Sequence, residues 1–189
     1  LTKRYEFSEL NEFKNIHCLR QSKYRGWKYY ERYLNILVKF SDGDFLFVAN
    51  DDFEMMSEKW DEMIIAACPN PNISVALIVA HSYNGPNSGN SWPILTRALY
   101  EAVGSVWPGP CGDVHICQLA DCTHTKIESR IELKHEPTTS WNPDGTRFLQ
   151  AGWKDYIGPE NCLRFATHKQ NIERITGVKP TDFLPNQNR

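Results

Sequence analysis

The stretch Asp44-Phe45-Leu46-Phe47-Val48-Ala49-Asn50-Asp51-Asp52 constrains this chain more than any other. A short apolar run follows the turn signal Ser41-Asp42-Gly43-Asp44 and ends abruptly in an amide and two carboxylates. That pattern predicts a buried strand over 45–49. Asn50, Asp51 and Asp52 then stand at its carboxyl end, the edge at which open α/β sheets bind ligands. Clustered oxygen donors suit a hard cation such as Mg²⁺ or Mn²⁺, which commonly accompanies a phosphate-bearing substrate. Asn and Asp are also ordinary turn formers, so an Asx-rich turn capping the next helix competes with the metal reading.

The remaining elements follow from periodicity and punctuation. Asn15 to Leu19 contains a short strand, and Gln21 to Gly26 is a basic loop. Apolar residues at 27, 30, 33, 34, 37, 38 and 40 predict a helix over 27–40. Ser57 caps a predicted helix over 58–67, which Pro69-Asn70-Pro71-Asn72 stops. Ile73 to Ala80 reads as a second buried strand. The polar segment 81–90 carries Gly and Pro and has the character of a lid or a connection. Pro93 opens a predicted helix to about Val103, closed by Gly104. Asp113 stands at a helix N-terminus, Ile127 to Leu133 alternates as a half-exposed strand, and His135 follows it. Phe148 to Tyr156 and Asn161 to Ile175 read as helices. Strands alternating with helices predict an α/β fold, a mainly parallel sheet with helices on both faces.

Composition narrows the classes. A chain of 189 residues fits one domain, here a core over about 15–136 with a helical extension over 137–189. It should bury roughly 70% of its unfolded surface and needs no disulfide or metal to fold. The net charge of −2 gives no reason to expect nucleic-acid or anionic-membrane binding. No apolar run has the length of a membrane span, and no signal peptide is expected. Cysteines at 18, 68, 111, 117, 122 and 162 are scattered, which suits reduced thiols in the cytoplasm. Aromatics reach 12%, enough either for stacking on sugars or bases or for a rigid core.

Four segments together carry a likeness to a known group. They are Gly26-Trp27 through Asn50-Asp51-Asp52, Ser91-Trp92-Pro93-Ile94-Leu95-Thr96-Arg97, Gly112-Asp113, and His135 after its strand. In order and spacing the chain resembles nucleotide-sugar-dependent glycosyltransferases of the GT-A fold, near the family-2-like group, over roughly residues 15–136. The resemblance implies a Rossmann-like sheet, a nucleotide-sugar donor, and a glycan, protein or lipid-linked acceptor. It implies an Asp-x-Asp-like metal motif at 50–52, with Asp52 as main ligand, Asn50 and Asp51 assisting, and His135 as a further ligand. It implies that Asp113 is the base of an inverting transfer. Two departures stand out. Asn50 occupies the first Asp position, which should lower metal affinity. The family's first strand and helix are not both identifiable before Ile16, so they are absent or reduced to residues 1–14.

The residues fit that chemistry. A cation held at Asp52 and His135 would stabilise a diphosphate leaving group as a Lewis acid. Asp113 at a helix start would stay anionic and could take a hydroxyl proton, or it is a simple N-cap. Arg20, Lys23 and Arg25, with Asp51, could contact the donor, Arg forks matching phosphate oxygens. Trp92 and Trp107 could stack on a sugar or pack in the core. Besides a nucleotidyltransferase or phosphate hydrolase using the same carboxylate edge, which the lack of a Walker-type Gly-rich loop weakens, two other readings remain. One is a zinc site from Cys111, His115, Cys117, Cys122 and His124, although no Cys-x-x-Cys pair is present. The other is a non-catalytic carbohydrate-binding or assembly module on a degenerate transferase scaffold.

Overall fold

The computed structural model describes residues 29–49, 53–82, 92–109, 111–135 and 158–181. Among the described residues five strands form one sheet: β1 (Phe45–Phe47), β2 (Phe53–Met55), β3 (Leu77–Ser82), β4 (Pro93–Thr96) and β5 (Lys126–His135). Their order is β1-β4-β3-β5-β2. Only β3 and β5 run parallel; β1–β4, β4–β3 and β5–β2 are antiparallel. The helices are α1 (Tyr30–Val38), α2 (Trp60–Ala67), α3 (Arg97–Val103), α4 (Gly112–Cys122) and α5 (Pro159–Thr176).

The mainly parallel, Rossmann-like GT-A sheet expected from the sequence is therefore overturned. The decisive element is β4. Pro93 does not open a helix; it opens a four-residue strand, a position where its missing N–H is tolerated. The helix begins only at Arg97, with Thr96 as its cap. The inserted β4 lies antiparallel between β1 and β3 and breaks the parallel pattern.

Thr96 holds that junction. Its hydroxyl accepts from Ala76 N at 3.0 Å and Leu99 N at 3.2 Å, and donates to the Ser74 carbonyl at 2.7 Å. The residue is fully buried, so no water can replace these bonds. Thr96→Val should cost about 2–4 kcal/mol by stranding two amide donors, while Thr96→Ser should recover most of it. Urea midpoints for the two variants test this, and equal midpoints would remove Thr96 from that role.

Local signals were displaced elsewhere for similar reasons. Ser57 does not cap α2: Lys59 precedes the helix in the left-handed region (φ 55°) and supplies no side-chain cap. The Ser57 hydroxyl instead accepts from Glu132 N at 2.8 Å, extending the β2–β5 seam. The strand expected at 73–80 starts at Leu77, and Ile73 sits in a turn, 80% exposed. The strand expected as a buried 45–49 is a three-residue edge strand whose outer residues are half-buried. The turn before it is as read, and Arg97 pins it by donating to the Gly43 carbonyl at 2.6 Å.

Two apolar clusters line the sheet. One joins Leu77, Val79 and Leu95 to α3, α4 and α5, with Phe165 and Ile172 of α5 inside it. The other sets Ile78, Ile94, Ile131 and Leu133 against α2 and an aromatic group. In that group Phe47 of β1 meets Phe53 of β2 with ring centroids 5.6 Å apart. These residues belong to opposite edge strands. Flat, the edges of a five-stranded sheet would stand roughly 19 Å apart, so the sheet must curl into a half-barrel. No helix among the described residues is long and apolar enough to cross a membrane.

Candidate active site

Chain direction decides what the sheet's ends can bring together. Strands β1, β3 and β5 share one direction, and β2 and β4 oppose it. The ends of β1, β3 and β5 and the starts of β2 and β4 therefore gather along one rim. There Phe47 pairs with Ile94, Val79 with Pro93, and Phe53 with His135. His135, the last residue of β5, is thus opposite the residue that follows Asp52. The Asn50, Asp51 and Asp52 segment lies outside the described residues. So do Arg20, Lys23 and Arg25.

Helix α4 packs on the sheet face that carries Leu77, Val79 and Leu95. Residues Thr123–Thr125 join the end of α4 to the start of β5. Thr123 donates to the Leu119 carbonyl at 2.7 Å, and Thr125 N bonds to the Ala120 carbonyl, which makes the joint tight. Asp113 is the second residue of α4. Its helix has no side-chain cap; Cys111 occupies that position with φ 53°. Burial lifts the Asp113 carboxyl above the ordinary carboxylate range. Backbone N–H groups of Val114 and Asp113 itself pull the other way and lose. A carboxylate so placed holds a proton more tightly than a solvated one, the property a proton acceptor needs.

The surroundings of Asp113 are packed from several elements. Trp107 covers Gly112 so closely that an added methyl would lie 2.8 Å from its Cδ2. Tyr30 of α1 meets the Trp107 ring edge-on at 5.3 Å. Behind the helix start lies a buried polar pair: His115 Nε2 and His168 Nδ1 are 3.1 Å apart. Burial pulls both imidazoles down, His115 to about 3 and His168 to about 4, so both are neutral. Cys117, one turn beyond Asp113, is buried with its thiol pushed up to about 12. Burial and the Asp113 carboxylate raise the Cys111 thiol to about 11. Neither thiol has the depressed pKa of a nucleophile.

Comparison with protein-family models, with curated proteins and with solved structures gives no match.

Among the described residues, no group of three or more His, Cys, Asp or Glu side chains could hold a metal ion. The cluster Cys111, His115, Cys117, Cys122 and His124 does not form a zinc site: His115 turns to His168, and Cys122 donates to the Leu119 carbonyl. Trp92 is 2% exposed and packs on Phe53 at 5.1 Å, so its bulk is core. Trp107 is half-buried beside the Asp113 helix start. Sequence reasoning did not single out Glu31, Asn35, Arg164 or His168. The polar pair Glu31 and Asn35, one helical turn apart on an otherwise amphipathic α1, was the available signal.

Proposed function

We propose that this chain transfers a glycosyl group from a nucleoside diphosphate sugar to an acceptor hydroxyl, with inversion and with Asp113 as the base. The support is the register that sets His135 opposite Phe53, the residue that follows Asp52 in the chain, and the carboxyl of raised proton affinity at the start of α4. The local sequence likeness at 26–52, 91–97, 112–113 and 135 supports the same reading. Asn50, Asp51 and Asp52 with His135 offer oxygen and imidazole donors that fit Mn²⁺ or Mg²⁺. Bound there, the cation would supply Lewis-acid stabilisation of the diphosphate charge. Asp113 would accept the proton of the attacking hydroxyl, its raised proton affinity matching that task. The donor is a nucleotide sugar, the acceptor a glycan, a protein or a lipid-linked sugar.

Thermal shift with UDP or GDP, with and without Mn²⁺, tests the reading. Near a hundredfold excess over Kd, a ligand stabilises by about 2.7 kcal/mol, a rise of roughly 5–10 °C for a chain of this size. Asp52→Ala should abolish the Mn²⁺-dependent rise. Asp113→Asn should keep it and lower transfer by about a hundredfold or more. No rise with either nucleotide sinks the transferase; full transfer in Asp113→Asn sinks the base.

A further inference from the structure

From Gly104 to Gly109 the chain has no helix or strand, yet it is fastened from two helices distant in sequence. Asn35 of α1 accepts from Val106 N at 3.2 Å and donates to Ser105 Oγ at 3.0 Å. One turn earlier on α1, Glu31 Oε2 accepts from Gly109 N at 3.0 Å. The same oxygen accepts from Arg164 Nη1 of α5 at 2.9 Å. Gly109 sits at φ 77°, and a methyl there would meet Asn161 Oδ1 at 3.0 Å and Arg164 Nη1 at 3.2 Å. Only glycine suits both the backbone and the space. Trp107, seated on Gly112, gives the segment a further fixed point.

We infer that Glu31 is a positioning residue: with Asn35 and Arg164 it clamps the 105–109 segment between α1 and α5 and so fixes the helix start that carries Asp113. What this says of catalysis rests on the proposed transfer; the clamp itself does not. Packing holds the inner side of the segment, where Val106 is 1% exposed in the core. A groove of about 600 Å³, lined by Glu31, Arg32, Asn35, Ile36 and Lys39, runs beside it. Directed bonds hold its other side, and a carboxylate serving an amide and a guanidinium at once is a strong anchor. A loosened segment would let water reach the start of α4. The burial that raises the proton affinity of Asp113 would then fade.

The test uses the full chain, with the Asp113 side-chain carboxyl followed by ¹³C NMR titration and the Gly109 amide by hydrogen exchange. Glu31→Ala should speed Gly109 exchange by about tenfold or more. It should also move the Asp113 midpoint down toward the ordinary carboxylate range. Glu31→Gln keeps an acceptor oxygen for Gly109 and should retain most of the protection and the raised midpoint. Where Glu31→Ala is too unstable to titrate, Arg164→Met, which unlocks the carboxylate, should move the midpoint in the same direction. An Asp113 midpoint unchanged in both variants overturns the clamp, as does one that moves as far in Glu31→Gln as in Glu31→Ala. The two readings fail separately. The wild-type response to Mn²⁺ and UDP or GDP decides the transferase, and the Asp113 midpoint decides the clamp.

Discussion

Gly112→Ala should destabilise the protein by about 2 kcal/mol, although alanine is the better helix former. Gly112 is the first residue of α4, where alanine would ordinarily gain up to about 1 kcal/mol. The new methyl would collide with the Trp107 indole, whose Cδ2 would lie 2.8 Å away. The rigid ring is held edge-on by Tyr30, so either it or the helix start must move. Overpacking of this kind costs about 1–3 kcal/mol. Removing the ring should reverse the sign: in a Trp107→Ala background, Gly112→Ala should be neutral or stabilising. Denaturant midpoints for the four proteins of this double-mutant cycle decide the matter. Additive effects would mean that the contact with Trp107 is not what requires glycine.

Acid should unfold the chain through the His115–His168 pair. Both rings are held neutral, with values near 3 and 4 against an unfolded value of about 6.5. Burial comes first for both. Arg164 disfavours charge on both rings, and His168 disfavours it on His115. Glu31 raises His168, and Asn161 raises His115 by a hydrogen bond. Depressed values mean that the unfolded chain binds the extra protons. The contribution is full above pH 6.5 and is lost as pH falls toward 4 for His168 and toward 3 for His115. Two protons give a slope of at most about 2.7 kcal/mol per pH unit. Asp113 works the other way, because its raised value means that the folded state keeps its proton as pH rises past the ordinary carboxylate range. Its opposing effect therefore acts mainly at the acid end. Urea midpoints should fall steeply between pH 6.5 and 4.5, and His168→Gln should flatten about half of that slope. Equal wild-type midpoints at pH 7 and 5 would refute the account.

What the sequence disclosed, and what it hid, follows from how local each cause is. The helix read at 161–175 is found at 159–176, because Pro159 at its start and Gly177 (φ 71°) at its end are local signals. The helix start at Asp113 and the strand read at 127–133, found at 126–135, were legible for the same reason. Strand β4 was not. Pro93-Ile94-Leu95-Thr96 is too short to show a period, and a proline opens a strand as readily as a helix. Misreading those residues turned an antiparallel insertion into a parallel alternation. Ser57 was misread because its partner, Glu132, lies far along the chain. The environment of Asp113 was invisible on the same ground: its burial, and the hold of Glu31 and Arg164 on the preceding segment, are tertiary facts. The candidate donor residues Asn50, Asp51, Asp52, Arg20, Lys23 and Arg25 fall outside the described residues.

The meeting of Phe47 with Phe53 has a mechanical meaning. These residues end one border of the sheet and begin the other, and only residues 48–52 join them. The length of that joint is set by a few peptide units. Other connections could be lengthened at small entropic cost. Slack in this one would let the borders spring apart and would loosen the aromatic group of Phe47, Phe53 and Trp92 between them.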